Sequence, residues 1–187
     1  MIRPATPADA PFVVPLIVQA LVPGAFQLTH SGDESEAWPV VMQFFLQETN
    51  RHSYRNTLVY ENENGVVGSV VSYDGAEDEE MGMPVTLFLR SYYQSEDVMH
   101  FAEGEPGAFY IDTVSVRRDE QGKGIGRALI EAACAQARAR GHRYISLLVD
   151  KENPSAQRLY DRLGFTAVKE RHLWDHDYIY MQRDLAG

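Results

Sequence analysis

Two stretches of this chain place chemistry-bearing residues at close, regular spacing. The first is Gln121-Gly122-Lys123-Gly124-Ile125-Gly126, which follows the apolar run Tyr110–Val116 and opens a stretch with helical spacing of Ile125, Ala128, Leu129, Ala132 and Ala133. Glycine lacks a Cβ, so the backbone turns tightly there and its N–H groups can approach an anion. The start of the following helix adds unpaired N–H groups and a favourable dipole. A diphosphate is the anion such a turn suits; the plainer alternative is a tight turn that binds nothing. Lys123 and Arg127 either add charge or are simply solvated. A P-loop would need Gly-Lys-Ser/Thr, which Gly124-Ile125 breaks, and the Gly-x-Gly-x-x-Gly dinucleotide pattern is not completed by Arg127 and Ala128.

The second stretch runs from Asn153 to Phe165. Ala156, Leu159, Tyr160 and Leu163 recur at i, i+3, i+4 and i+7, one face of a helix. The Tyr160 ring can pack inward while its hydroxyl reaches a polar site. A free tyrosine has a pKa of about 10 and is an acid at neutral pH. Asn153-Pro154 reads as a helix start, with Asn153 as the cap. Capping does not exclude a ligand contact.

In this order the two stretches resemble the signatures of the GNAT superfamily of N-acetyltransferases. Gln121-x-x-Gly124-x-Gly126 is similar to its pyrophosphate motif, and Asn153-x-x-Ala156-x-x-Leu159-Tyr160-x-x-x-Gly164-Phe165 to its second motif. The match is close over residues 108–167, and Ile2–Asp9 looks like the usual opening of the family. The resemblance implies a mixed α/β (α+β) fold, with a mostly antiparallel central sheet of six or seven strands flanked by helices, and acetyl-CoA as cosubstrate. It implies that backbone groups of Val114, Ser115 and Val116 pair with the pantetheine arm. Amides of Gln121, Gly122, Lys123, Gly124, Ile125, Gly126 and Arg127 would cradle the pyrophosphate. Asn153 and Ala156 would lie against the cofactor, and Tyr160 would protonate the leaving thiolate. The reaction implied is direct transfer of acetyl to a primary amine of a small molecule or peptide. Its proton is taken by a base or by water. An acyl-CoA sensor without turnover, or transfer of another acyl group, is the alternative.

For the base, Asp112 shares strand parity with Val114 and Val116, so its side chain is expected on their side; Tyr110 has the same parity, and Glu79 or Glu80 are further candidates. Charge on the thioester oxygen is expected to meet a strand N–H, that of Val114.

The 187 residues fit a single domain spanning 1–187. The net charge of −10 argues against nucleic-acid binding and leans weakly towards a cationic amine. No apolar run approaches the roughly 20 residues of a membrane span, and no leader pattern precedes the first helix, so a cytoplasmic protein is expected. A homodimer is possible. The single cysteine, Cys134, reads as a packing residue. No metal set is expected; Asp175-His176-Asp177 reads as a polar turn, and His172, Trp174, His176 and Tyr178 either shape the acceptor site or pack.

The elements expected to position these groups are a helix from the Thr6–Asp9 capping box to Leu21, and a second helix over 34–50 with Trp38, Val41, Met42, Phe45 and Leu46 on one face. A hairpin follows, turning at Asn62–Gly65. Then come an acidic loop over 74–80, a helix from Pro84 towards His100, strands at Phe109–Val116 and Tyr144–Val149, and a last pair at Phe165–Arg171 and Tyr178–Arg183. Residues 74–107 carry no motif.

Overall fold

Strands Ile2–Pro4 (β1), Thr57–Asn62 (β2), Gly65–Asp74 (β3), Ala108–Val116 (β4), Tyr144–Asp150 (β5), Thr166–Leu173 (β6) and His176–Asp184 (β7) form one sheet ordered β1-β2-β3-β4-β5-β7-β6. The computed structural model describes residues 1–21, 37–96, 102–173 and 176–186. Every neighbouring pair is antiparallel except β4 and β5, which are parallel. The β2–β3 hairpin turns as expected: Gly65 has φ +84°, and the Asn62 side chain accepts from the Asn64 N–H.

Helices Ile125–Ala139 (α4) and Pro154–Arg162 (α5) cover one face. There Leu129, Ile130 and Ala133 pack with Val67, Val70, Phe109, Ile111, Ile145, Leu147 and Val149. Burying each large aliphatic side chain contributes about 1.5–3 kcal/mol. Gly68 lets α4 sit close to the sheet, since a Cβ there would stand 3.0 Å from Leu129 Cδ1 and 3.1 Å from Ile125 Cγ2. Helices Ala10–Leu21 (α1) and Trp38–Phe45 (α2) pack on the other face, against Val59, Val66 and Val71. A further helix, Asp78–Tyr93 (α3), adds Val85 to that layer.

Several expectations need correction. The second helix ends at Phe45; its buried residues are Val41, Phe44 and Phe45, while Trp38 and Leu46 face solvent. The expected start of that helix, 34–36, lies outside the described residues. The run Asn50–Ser53, expected at the helix end and beyond it, is instead a buried polar turn tied down by its own hydrogen bonds, with Asn50 Nδ2 donating to the Phe44 carbonyl and the His52 N–H to Asn50 Oδ1. The acidic stretch 74–80 is not a loop. It is a 3-10 turn, Gly75–Glu77, leading into α3, whose first turn carries Asp78, Glu79 and Glu80. Acids are favoured at a helix N-terminus by its dipole, so that run starts the helix. Pro84 sits inside α3 instead of opening it, and the helix stops at a left-handed Gln94 (φ +50°), short of His100. Trp174 lies outside the described residues. Strand β1 was not anticipated.

Candidate functional site

The sheet opens where its two parallel strands part. β4 and β5 pair from Ala108↔Tyr144 to Ile111↔Leu147, and beyond that rung β4 continues to Val116 without β5. Hydrogen-bonded and non-bonded rungs alternate along an antiparallel pair. Arg117 N donates to Val67 O, so Ser115 and Thr113 turn their backbone groups to β3. Val114 and Val116 therefore turn theirs into the opening. At its far end the Val116 carbonyl accepts from the side-chain amides of Gln19 on α1 and Gln121, at 3.1 and 3.0 Å.

The glycine turn closes this end of the opening. Gly122 and Gly124 have φ +77° and +81°, a region that L side chains adopt at a cost of about 1–2 kcal/mol. Gly124 is the residue before α4, so the free N–H groups of that helix begin here. Among the described residues, and apart from the adjoining chain, no atom stands within 4 Å of a Cβ built on Gly122 or Gly124. The backbone is open to a ligand, and a diphosphate fits this donor set. Lys123 is ion-paired with buried Glu120 at 3.0 Å, which also accepts from Asn64 at 2.9 Å. Arg127 and Gln121 are exposed, Gly126 is half-buried and Ile125 is buried in the core.

Asn153 caps α5 by accepting from the Ala156 N–H at 3.1 Å. Ala156 packs on the main core. Tyr160 is buried against Phe165, ring centroids 5.9 Å apart, and burial pushes its hydroxyl up to about 12. It therefore stays protonated across the neutral range. Among the described residues, no hydrogen bond engages that hydroxyl.

Asp112 does not lie on the side that strand parity gave it. The β3–β4 register runs Val71↔Thr113 and then Ser72↔Ile111, so Asp112 is the extra residue of a bulge. The bulge resets the alternation. Val114 and Val116 pack with the α4 core, while the Asp112 carboxylate turns with Tyr110 to the opposite face. There it joins a buried network. Arg51 Nε donates to Asp112 Oδ2 at 2.7 Å, and the Arg51 guanidinium also holds Glu103 Oε1 in a very short contact. The Tyr110 hydroxyl donates to Glu103 Oε2 at 2.8 Å. The Tyr73 hydroxyl lies 2.9 Å from Asp78 and 3.2 Å from Asp112. Asp78 accepts the N–H groups of Glu103 and Gly104 at 3.1 and 3.0 Å. Burial, and the neighbouring Asp112 and Asp78 charges against the pull of Arg51, bring Glu103 up to about 7. Burial brings the His52 imidazole down to about 4.

The two acids expected to reach in, Glu79 and Glu80, are exposed; their neighbour Asp78 is buried and reaches in instead. Arg51, Glu103 and Asp78 went unnoticed in the sequence because they belong to no motif and come from three separate segments. The signal available was weak: Arg51 lies between Asn50 and His52 within the polar stretch 47–57. Asp150 and Glu152, two residues apart, and His176 bring one potential ligand atom each to within 4.8 Å of one another; His176 Nδ1 is 3.3 Å from Asp150 and Glu152 is exposed. His172 pairs with Asp177 at the surface, 2.9 Å apart.

A sheet that parts between two parallel strands, above a glycine-led helix, leaves strand backbone groups and helix N–H groups free to receive a ligand. The chain belongs to the acetyltransferase (GNAT) family, whose family model matches residues 24–165. It is similar to a mycothiol acetyltransferase of Thermobispora bispora, 42% identical over 79 residues, which are 42% of this chain and 24% of that protein. It is also similar to the 5-NmdU N-acetyltransferase of Pseudomonas phage PaMx11, 42% identical over 57 residues, 30% of this chain and 39% of that protein. The chain thus spans less than half the length of these curated relatives. An N-acetyltransferase from Staphylococcus aureus Mu50 shares the fold at TM-score 0.81 and 24% identity, covering 97% of this chain and 99% of that one. A crystal structure of an acetyltransferase superposes at TM-score 0.76 and 29% identity, covering 99% of each chain.

Proposed function

We propose that the protein moves an acetyl group from acetyl-CoA directly to a primary amine. The observation that carries this reading is the parting of β4 and β5 beside the glycine turn, with Tyr160 buried on the helix that follows β5. Backbone groups of Val114 and Val116 would pair with the pantetheine arm. Ser115 holds its neighbour in register, its hydroxyl accepting from Gln19 at 2.8 Å. The amides from Gln121 to Arg127 would receive the pyrophosphate. Asn153 and Ala156 would flank the arm at the start of α5. The Val114 N–H is the donor aimed where charge develops on the thioester oxygen.

Tyr160 would give its proton to the departing thiolate. A hydroxyl pushed up to about 12 keeps that proton until a strong base is generated beside it. The names of two relatives, a mycothiol acetyltransferase and a 5-NmdU N-acetyltransferase, support acetyl transfer as the reaction, without fixing this chain's acceptor. The whole chain acts as one unit on this reading, since a single sheet takes strands from Ile2–Pro4 through His176–Asp184. A cytoplasmic location suits it, and no helix among the described residues is long and apolar enough to cross a membrane.

Thiol release from acetyl-CoA against a broad amine panel tests the reading. Turnover with one class of amine names the acceptor. Tight acetyl-CoA binding by calorimetry with no turnover on any amine would instead make the protein an acyl-CoA sensor. Tyr160→Phe is expected to lower kcat by about 100-fold or more while acetyl-CoA affinity holds.

A further inference from the structure

We propose that Glu103 is the proton acceptor of the reaction, and that it takes the proton of a cationic aliphatic amine bound on the tyrosine-lined face of β4, β5 and β7, with Arg51 and Tyr110 holding its carboxylate in place. The proposal rests on the transferase reading above.

Position carries it first. Tyr110, which holds Glu103 Oε2, pairs with Ser146 one rung before β4 and β5 part, and Asp112 is the first residue beyond the last rung. Arg51 joins the Glu103 and Asp112 carboxylates, so Glu103 is tied to the point where the opening begins. Side chains alternate along a strand. Ile145, Leu147 and Val149 enter the core beneath α4, so Ser146 and Asp150 share the opposite face with Tyr110. Their β7 neighbourhood brings Tyr180 and Tyr178 to the same face, through Leu148↔Tyr180 and Asp150↔Tyr178. The Tyr178 hydroxyl is pushed up to about 12 by burial and by the negative charges of Asp150 and Glu103.

The segment that carries Glu103 is fixed from both sides. Asp78 accepts its backbone N–H groups, and Arg171 of β6 donates to the Ala102 carbonyl at 2.7 Å. Lys169 of β6 pairs with Glu105 at 2.5 Å. On the other side Gly75 lies directly against it, where a Cβ would stand 2.3 Å from the Glu105 carbonyl oxygen. A base held this way is preorganised.

Charge selects among the acids. Among the described residues, the groups that face Glu103 are Arg51, Tyr73 of β3, Asp78 of α3, Tyr110 and Asp112 of β4 and Tyr178 of β7. Two carboxylates, Glu103 and Asp112, contact the one Arg51 guanidinium, and a bound ammonium would offset the second of those charges. The Asp112 side chain is only 1% exposed, and both of its Arg51 contacts fall on one oxygen. The Glu103 side chain keeps 11% of its surface open, and its affinity for a proton lies near neutrality.

The proton inventory balances. The acceptor enters as R–NH3+, and Glu103 takes one proton to leave R–NH2 and a carboxylic acid. The nitrogen lone pair attacks the thioester carbon; the C–N bond forms, the C–S bond breaks, and the thiolate takes the Tyr160 proton. The nitrogen then loses its second proton, which restores Tyr160, and Glu103 releases the first to solvent. The products are the amide, the free thiol and one proton.

The test compares wild type and Glu103→Gln on two probes, 1,4-diaminobutane, which is cationic at neutral pH, and 2,2,2-trifluoroethylamine, which arrives already neutral. The expected result at pH 7 is a fall of about 100-fold in kcat/KM on the diamine, with loss of the acid limb near pH 7. The fall on trifluoroethylamine is only a few-fold, and acetyl-CoA affinity by calorimetry is unchanged. An acid limb that survives in Glu103→Gln, or equal losses on both amines, overturns the proposal. Wild type that turns over other amines and not the diamine overturns the cationic acceptor; wild type inactive on every amine overturns the transferase reading itself. If Glu103→Gln does not fold, Tyr110→Phe decides. It removes a hydrogen bond that favours the charged carboxylate, so the acid limb moves to higher pH; a limb that stays in place overturns the assignment.

Discussion

The two ends of the β4–β5 opening are built from different material. At the glycine turn the groups are backbone amides, displayed by Gly122 and Gly124 in conformations that other residues resist. At the other end they are side chains, Arg51, Asp78, Glu103 and Asp112, brought from separate segments and held by each other. A site made of backbone is set by local sequence and tolerates most side-chain changes. A site made of buried charges is set by the tertiary fold and fails as a unit.

The sharpest way to break this comparison is Arg51→Met. Removing one partner leaves buried carboxylates uncompensated, so a loss of about 3–5 kcal/mol in denaturant unfolding is expected. A loss under 1 kcal/mol would mean the cluster is not a unit. The next effect is pH dependence. His52 sits at about 4, against 6.5 when unfolded, so the unfolded chain binds the extra proton between those values. Stability from this group is present above about 6.5 and lost as pH falls towards 4. Glu103 runs the other way. It sits at about 7 against 4.5, the native state binds the proton in between, and stability declines as pH rises through that window. His52→Gln should therefore leave a stability curve that falls with pH and Glu103→Gln one that rises, each by on the order of 2 kcal/mol. Parallel curves would show that neither group is buried as described.

The turn should respond to backbone demands alone. Gly124→Ala is expected to cost about 1–2 kcal/mol and to weaken acetyl-CoA binding by about tenfold. Asn153→Ala should cost about 1 kcal/mol by removing a helix cap. Lys123→Ala should change acetyl-CoA affinity least, because Glu120 already neutralises that ammonium. A tenfold loss there would show that the turn works by side-chain charge after all.

The same contrast explains what the amino-acid sequence disclosed. The glycine turn, the Asn153 cap and the helix face of Tyr160 are local patterns, and each reads directly from spacing. The strand that carries Asp112 was legible too, but its bulge was not. A bulge is set by pairing with β3, and parity counted along one strand passes over it. By charge alone the acidic run at 74–80 reads as a solvated loop; it is a helix start because the dipole of α3 favours acids in its first turn. Glu103 and Arg51 are isolated charges in unremarkable stretches, and only the fold makes them neighbours.

Gly75 carries a consequence for how such a domain diverges. Its missing Cβ leaves room for the Glu105 carbonyl, so any larger residue there must displace the chain that bears Glu103. A lineage that replaces Gly75 has to rebuild 102–105 at the same step. The two segments should be inherited as a pair, and a graft that exchanges one without the other should disturb the Arg51–Glu103–Asp112 network while leaving the glycine turn intact.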